Sequence, residues 1–410
     1  MRKIAIVGAG QAGLSLAFGL LDRGYSVTVV CDRTPDEIRT GRVMSSQCMF
    51  APAREIERGL GLNQWDGDCP PVEGVEIAMQ HPQDNGADIF RWQACLDSPA
   101  QAVDQRIKMS SWLRDIESRG AHLLFKKVGV AELEALASTH DLTILAAGKD
   151  EVVKLFERDA SRSVFDRPQR SLAITYVHGV KPFPGYSSMN VALIPGIGEY
   201  FLFPALTLSG ACHIMAFECI PNGPLDPWEN VRTPEEHLAA SKHLVKTYAP
   251  LEAAHIENVE LTDSKGVLAG RFAPTVRRPV INLPSGRLVF GLGDAVVIND
   301  PLTGQGANNA TKASKVYLDE IVARGELPYS LEWMNATFEK FWDYAQWTVR
   351  WTNSLLLPPS QEILNLLQSA AHCPAIASAI VNGFNHPPSV FPWWSDPKAC
   401  ERFIASHQMH

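Results

Sequence analysis

The sequence predicts an α/β fold with a Rossmann-like dinucleotide-binding domain, a second domain built on a β-sheet, and a helical C-terminal region. Three observations predict it. A glycine-rich turn, Gly8-Ala9-Gly10-Gln11-Ala12-Gly13, stands between an apolar strand-like run and a helical pattern. Almost the whole chain away, Gly293-Asp294 through Gly304-Gln305-Gly306-Ala307-Asn308-Asn309 again joins a strand-like run to a helix. Between and beyond these segments, strand-like runs split by Pro and Gly give way to long helical patterns.

Taken in order, Arg2-Lys-Ile-Ala-Ile-Val7 suits a buried parallel strand and Leu14 to Asp22 a helix, the context a dinucleotide fingerprint requires. Gly8 permits the tight turn, Gly10 lets the backbone approach a pyrophosphate, and Gly13 lets helix pack on strand. The helix start offers N–H donors with a partial positive charge. The bland alternative is a glycine-rich turn of any α/β protein. A second strand, Tyr25-Ser-Val-Thr-Val-Val30, should end on an acid that holds the adenosine ribose. Asp32, followed by Arg33, lies 19 residues after Gly13 and fits that spacing, but strand register puts Cys31 nearer the usual place. A displaced acid would hold the nucleotide less firmly and let it exchange.

The runs 170–177, 188–194, 199–203 and 213–218 read as a sheet, followed by helix-like stretches near 234–250 and 328–380. The Trp342 to Trp347 region resembles an aromatic substrate box, yet long helices more often pack such residues in a core or a homodimer contact. Further back, Arg287-Leu-Val-Phe-Gly-Leu-Gly293 ends a strand on Asp294, and Pro301 to Asn308 opens a helix through Lys312, Val316 and Ile321.

Composition bounds the rest. A chain of 410 residues with 46% hydrophobic content can bury the cores of two joined domains. With 37 basic and 45 acidic side chains, a net charge of −8 and no basic cluster, nucleic acid is not an expected partner. The N-terminus opens on a strand, leaving no room for a signal peptide, and no apolar run nears the about 18 residues of a membrane span. Eight cysteines without a CxxC pair read as reduced thiols of a cytoplasmic protein with no metal site.

Gly293-Asp294, then Pro301, then Gly304-x-Gly306-x-Asn308 resembles the second FAD motif of the flavoprotein hydroxylases, which have the glutathione-reductase-type FAD-binding fold. That resemblance implies that Asp294 binds the ribitol and Pro301 flanks the flavin ring. Amides of Gly304, Gln305, Gly306, Ala307 and Asn308 would face the ring's pyrimidine carbonyl at a helix N-terminus, where negative charge is stabilised. It also implies a discontinuous FAD domain over 1–70, 100–165 and 285–325, a substrate domain over 71–99 and 166–284, and a helical region over 326–410. Departures matter too. Ala147-Gly148 replaces the Asp-Gly motif linked with nicotinamide nucleotides, Glu151 replaces a Ser, and Val297 replaces the usual His.

Those losses narrow the resemblance to the oxygenase component of two-component styrene and indole monooxygenases. Segments 32–37, 102–106, 167–170 and 350–353 look like that family at matching places. Such enzymes take FADH2 as an exchangeable co-substrate from a separate NADH-dependent flavin reductase. With O2 it forms a flavin 4a-hydroperoxide that epoxidises an alkene in a water-poor pocket. Where styrene-type members carry Asn, Val and His after an Arg, this chain has Arg42, then Ser45, Gln47 and Met49; in place of Tyr, His and Ser it has Val72, Val75 and Ala100. These six departures point to the indole subgroup, with indole as substrate and styrene accepted. On a strand, Ser45 and Gln47 would share one face, letting the Gln47 carbonyl accept the indole N–H; an ordinary surface-strand Gln is the alternative. Arg42 would approach the flavin edge or phosphate, and Asp104 and Arg106 are either flavin contacts or a helix start with an exposed cation. A self-sufficient aromatic hydroxylase, a flavin-dependent halogenase and a non-catalytic flavin-binding protein are the competing readings.

Overall fold

The computed structural model describes residues 1–81, 87–148 and 151–408. Its first sheet has six strands in the spatial order Val280–Asn282, Leu288–Gly291, Leu142–Leu145, Lys3–Val7, Ser26–Cys31, His122–Phe125. All neighbours are parallel except the outer hairpin of the first two. Near-continuous apolar strands suit a parallel sheet covered on both faces. Ile4, Ile6, Val29 and Ile144 are fully buried there. Helix Gln11–Leu21 packs against helix Gly306–Arg324 so closely that a Cβ on Gly19 would fall 2.3 Å from Leu318 Cδ2. The two glycine segments therefore open neighbouring helices.

The second sheet is larger and mostly antiparallel, built from strands within 71–101, 171–219 and 260–270. Its faces are read off the strand Gly210–Cys219 by alternation. Met215 and Phe217 join a cluster with Leu244 and Val245 of helix Pro234–Tyr248. Ile214 and Ala216 join the opposite cluster, which includes Phe201, Phe203 and Trp351 and is covered by helices Gln361–Ala370, Pro374–Asn382 and Pro397–Gln408.

The stretch expected to be helical near 328–380 is three helices, Leu331–Leu355, Gln361–Ala370 and Pro374–Asn382. Pro358, Pro359 and Pro374 fall at the breaks, since proline cannot continue a helix from within. Its aromatic residues serve packing. Trp342 stacks near Phe338 and lies under Arg162, Trp347 lies 4.9 Å from Phe391, and Trp351 is buried against Phe384. Among the described residues no single helix is long and apolar enough to cross a membrane, and no group of three or more His, Cys, Asp or Glu could hold a metal ion.

Candidate cofactor and substrate site

The two distant glycine segments meet. Gly8 has φ +115°, and a Cβ there would sit 2.7 Å from the nitrogen of Ala147. A Cβ on Gly13 would fall 2.0 Å from the Gly8 carbonyl oxygen. On Gly293 it would lie 2.9 Å from Ala12 Cβ, and on Gly148, 2.6 Å from Asp294 Cβ. Only glycine allows these approaches. Gly10 and Gln305, the residues preceding the two helices, provide no side-chain cap, and a Cβ on Gly10 or Gly306 would meet nothing within 4 Å. Two helix N-termini without side-chain caps thus have open space beside Gly10 and Gly306. Around them Gln11 Oε1, Gln305 Oε1 and both amide atoms of Asn309 are buried without hydrogen-bond partners, as groups completed by a ligand would be. The residues present fit a dinucleotide with a pyrophosphate at one helix and an electron-accepting ring at the other.

At the adenosine end, strand Ser26–Cys31 stops at Cys31, which is 8% exposed, with its thiol pushed up by burial. Asp32 is the first residue beyond it, and its half-exposed carboxylate meets Arg33 Nε at 3.5 Å. Arg33 also reaches Met44 Sδ at 3.4 Å. Arg42 is exposed and forms no ion pair among the described residues.

At the other end lies a narrow cleft of about 30 Å³. One wall is Pro301, Leu302, Thr303 and Gly304; the other is the second sheet's Met189, Phe201, Phe203, Ala216 and Glu218, with Ser46, Cys48 and Phe384 completing it. Asn308 fixes the 46–50 segment against the helix start: Phe50 N donates to its Oδ1 at 2.8 Å, and its Nδ2 donates to the Cys48 carbonyl at 2.8 Å. Gln11 holds the neighbouring helix in the same way, donating to Glu57 at 2.7 Å and Thr311 at 2.9 Å. Both side chains position the site.

Of the expected substrate-facing residues Pro301 lines this cleft, whereas Ser45, Gln47, Met49, Val72, Val75 and Ala100 do not. Residues 42–48 form no strand, and Met49 makes an isolated bridge to Gln101. The residues of this segment that line the cleft are Ser46 and Cys48, not Ser45, Gln47 or Met49. Gln47 is buried rather than on a surface strand, and its amide is committed: Nε2 donates to the Val103 carbonyl at 2.8 Å and Oε1 accepts from Gln105 Nε2 at 2.9 Å. Ser45 offers its carbonyl to the Tyr176 hydroxyl at 2.9 Å. Met49 lines a separate small cleft with Arg54, Glu57 and Lys108. Val72, Val75 and Ala100 are fully buried in the apolar cluster that also holds the cleft's sheet residues, but they do not line the cleft. Asp104 and Arg106 form a buried ion pair with each other and with Asp263.

Sequence reasoning missed Glu218, although a signal was present. It follows Ile214 and Ala216 at strand spacing, an acid on an otherwise core-facing row. It is 2% exposed, and its Oε2 has no hydrogen-bond partner. The nearby cation is already engaged: Arg170 Nε and Nη2 donate to Glu199 at 2.8 and 2.9 Å, and Nη1 donates to the carbonyls of Gln169 and Leu356. Burial, then the carboxylates of Asp300 and Glu199, pushes the Glu218 carboxyl well above the ordinary range. Burial likewise raises Asp300 to about 6.

A Rossmann-like sheet joined to a second, larger sheet and a helical C-terminal region is a fold that solved flavin-dependent proteins share. Solved structures of that architecture superpose over nearly the whole chain. A flavoprotein/dehydrogenase from Cytophaga hutchinsonii gives a TM-score of 0.69 at 12% identity, covering 99% of both chains. The flavin-dependent brominase Bmp2 gives 0.63 at 13%, covering 100% of this chain and 99% of that one. More particularly, the chain is similar to styrene monooxygenase StyA. It is 29% identical to the Pseudomonas fluorescens protein over 408 residues, 97% of this chain and 96% of that one, and equally to StyA from Pseudomonas sp. Residues 148–255 match the family described as "Styrene monooxygenase A putative substrate binding domain", and residues 3–45 match "NADP oxidoreductase coenzyme F420-dependent". The second match covers the first strand-helix-strand unit and the short helix Pro35–Arg39 after it. These likenesses support a StyA-like flavin monooxygenase.

Proposed function

We propose that this chain is the oxygenase component of a two-component system: it takes FADH2 from a separate NADH-dependent reductase, works in the cytoplasm, and epoxidises indole at its 2,3 double bond, with styrene also accepted. One observation carries the reading. The cleft joins Pro301 to Gly304, where the resemblance puts the flavin ring, to Met189, Phe201, Phe203 and Ala216, all inside the region that matches the substrate-binding family. Bound reduced FAD supplies, with O2, an electrophilic oxygen atom. The chain's own part is to hold the alkene beside it and keep water out, and the apolar walls suit that task. The start of helix Gly306–Arg324 favours negative charge on the reduced ring. In this structure the cleft has room for about two water molecules.

Ala147-Gly148, in place of Asp-Gly, supports an external reductant. The test is oxygenation of indole by the purified chain supplied with reduced FAD and O2, with NADH alone as the control. Product should form with reduced FAD, or with any flavin reductase and NADH, and not with NADH alone. Stoichiometric NADH oxidation by the chain by itself would sink the two-component reading.

A further inference from the structure

Glu218 stands apart from every other residue of the cleft. The sheet wall around it is Met189, Phe201, Phe203 and Ala216. An acid buried among such residues for structural reasons would carry a partner, because an unpaired buried carboxyl is costly. Glu218 Oε2 has none, and Arg170 directs four of its five N–H groups to Glu199 and two carbonyls and makes no hydrogen bond to Glu218. Of the other polar groups in the cleft, the Thr303 hydroxyl is bonded to Thr352 at 2.6 Å, and Ser46 is partly exposed. Gln47 lies outside the cleft with its amide committed.

We propose that Glu218 determines substrate choice: its carboxyl group accepts the N–H of an indole-type heteroarene whose rings the apolar walls enclose. This rests on reading the cleft as the substrate site. A carboxyl held neutral keeps a carbonyl oxygen that accepts such a donor and an O–H that can donate to a second polar group. The apolar walls alone would not separate indole from styrene, whereas a buried acceptor does, because only indole brings a donor. An acceptor on the N–H also enriches the 2,3 double bond in electron density, which suits attack by an electrophilic oxygen.

The test compares the parent with Glu218→Leu and Glu218→Gln on indole, N-methylindole and styrene at a fixed reductase supply. Glu218→Leu should lower kcat/KM for indole about tenfold relative to N-methylindole and styrene. Glu218→Gln, which retains a carbonyl acceptor, should restore most of that ratio. FAD titrations that match the parent's would show that the cofactor site is intact in both variants. A second measurement, equilibrium binding of indole and N-methylindole to the FAD-loaded protein, separates this proposal from the one it rests on. A binding loss confined to indole in Glu218→Leu sustains the anchor even if no variant gives product, in which case only the assigned reaction falls. Equal changes for all three substrates, or unchanged indole binding in Glu218→Leu, would overturn it.

Discussion

A methyl group added at Gly10 would meet nothing within 4 Å, whereas at Gly13 it would fall 2.0 Å from the backbone oxygen of Gly8. Space at Gly10 is open, as the approach of a pyrophosphate requires; space at Gly13 is used by the fold. Gly10→Val should therefore unfold like the parent yet lose at least about tenfold in FAD affinity, since a pyrophosphate cannot approach past the side chain. Gly13→Ala should cost about 1–3 kcal/mol of stability through overpacking. Thermal unfolding and FAD titration of both variants check this; a Gly10→Val protein that titrates FAD like the parent would remove the phosphate site from this turn. Both glycines were legible in the sequence because their spacing encodes backbone geometry. Gln47 was not, because a local pattern cannot show that its amide is held by Val103 and Gln105, more than fifty residues downstream.

The turn Pro301–Thr303 sits at the cleft because Asp300 caps it, accepting from Leu302 N at 3.1 Å. Proline at the start of the turn and glycine in the left-handed conformation at its end, φ +62° at Gly304, explain why this element could be read from sequence. Its electrostatics could not, since they arise from burial and from charges brought in by the second sheet, Glu199 on one strand and Arg170 just before another. Burial raises the Asp300 carboxyl to about 6. A carboxyl with a raised folded-state value contributes its full share below its ordinary value and loses it as pH rises through the raised one. Asn can cap the same turn without ionising. Asp300→Asn should thus gain on the parent as pH rises from 4 to 7, by about 3 kcal/mol in denaturant unfolding of the FAD-free proteins. A stability difference that does not change with pH would mean that Asp300 ionises freely in the fold.

Because the site lies between two sheets, its geometry depends on what joins them, and the sequence offered Asp104 and Arg106 either as flavin contacts or as a helix start with an exposed cation. The structure makes them a joint. Arg106, 1% exposed at the start of helix Gln105–Ser118, donates from Nε to Asp104 at 2.9 Å and from both terminal nitrogens to Asp263 at 2.9 Å. Thr207, the last residue of a strand in the second sheet, donates to Asp104 at 2.7 Å. The same helix packs Trp112 edge-on against Phe18 of helix Gln11–Leu21, 6.2 Å between ring centroids. A single guanidinium therefore ties the nucleotide-binding layer to the sheet that walls the cleft. Its hydrogen bonds hold Asp263 below the usual carboxylate value despite burial. Removing the cation leaves the Asp104 carboxylate buried with hydrogen bonds from Thr207 and the residue-106 amide but no counter-ion, which costs about 3–5 kcal/mol. Arg106→Met keeps much of the volume, so its loss in denaturant unfolding should report the missing charge rather than a cavity. The second readout is geometric: the variant should also bind indole more weakly while FAD affinity changes less, because the ring-side turn and the phosphate-binding helix stay in one layer and the cleft's far wall does not. A stability loss under about 1 kcal/mol would place this network among ordinary surface ion pairs and leave the register of the two sheets to apolar contacts and to the backbone hydrogen bonds of Ala102 and Asp104 with Leu206.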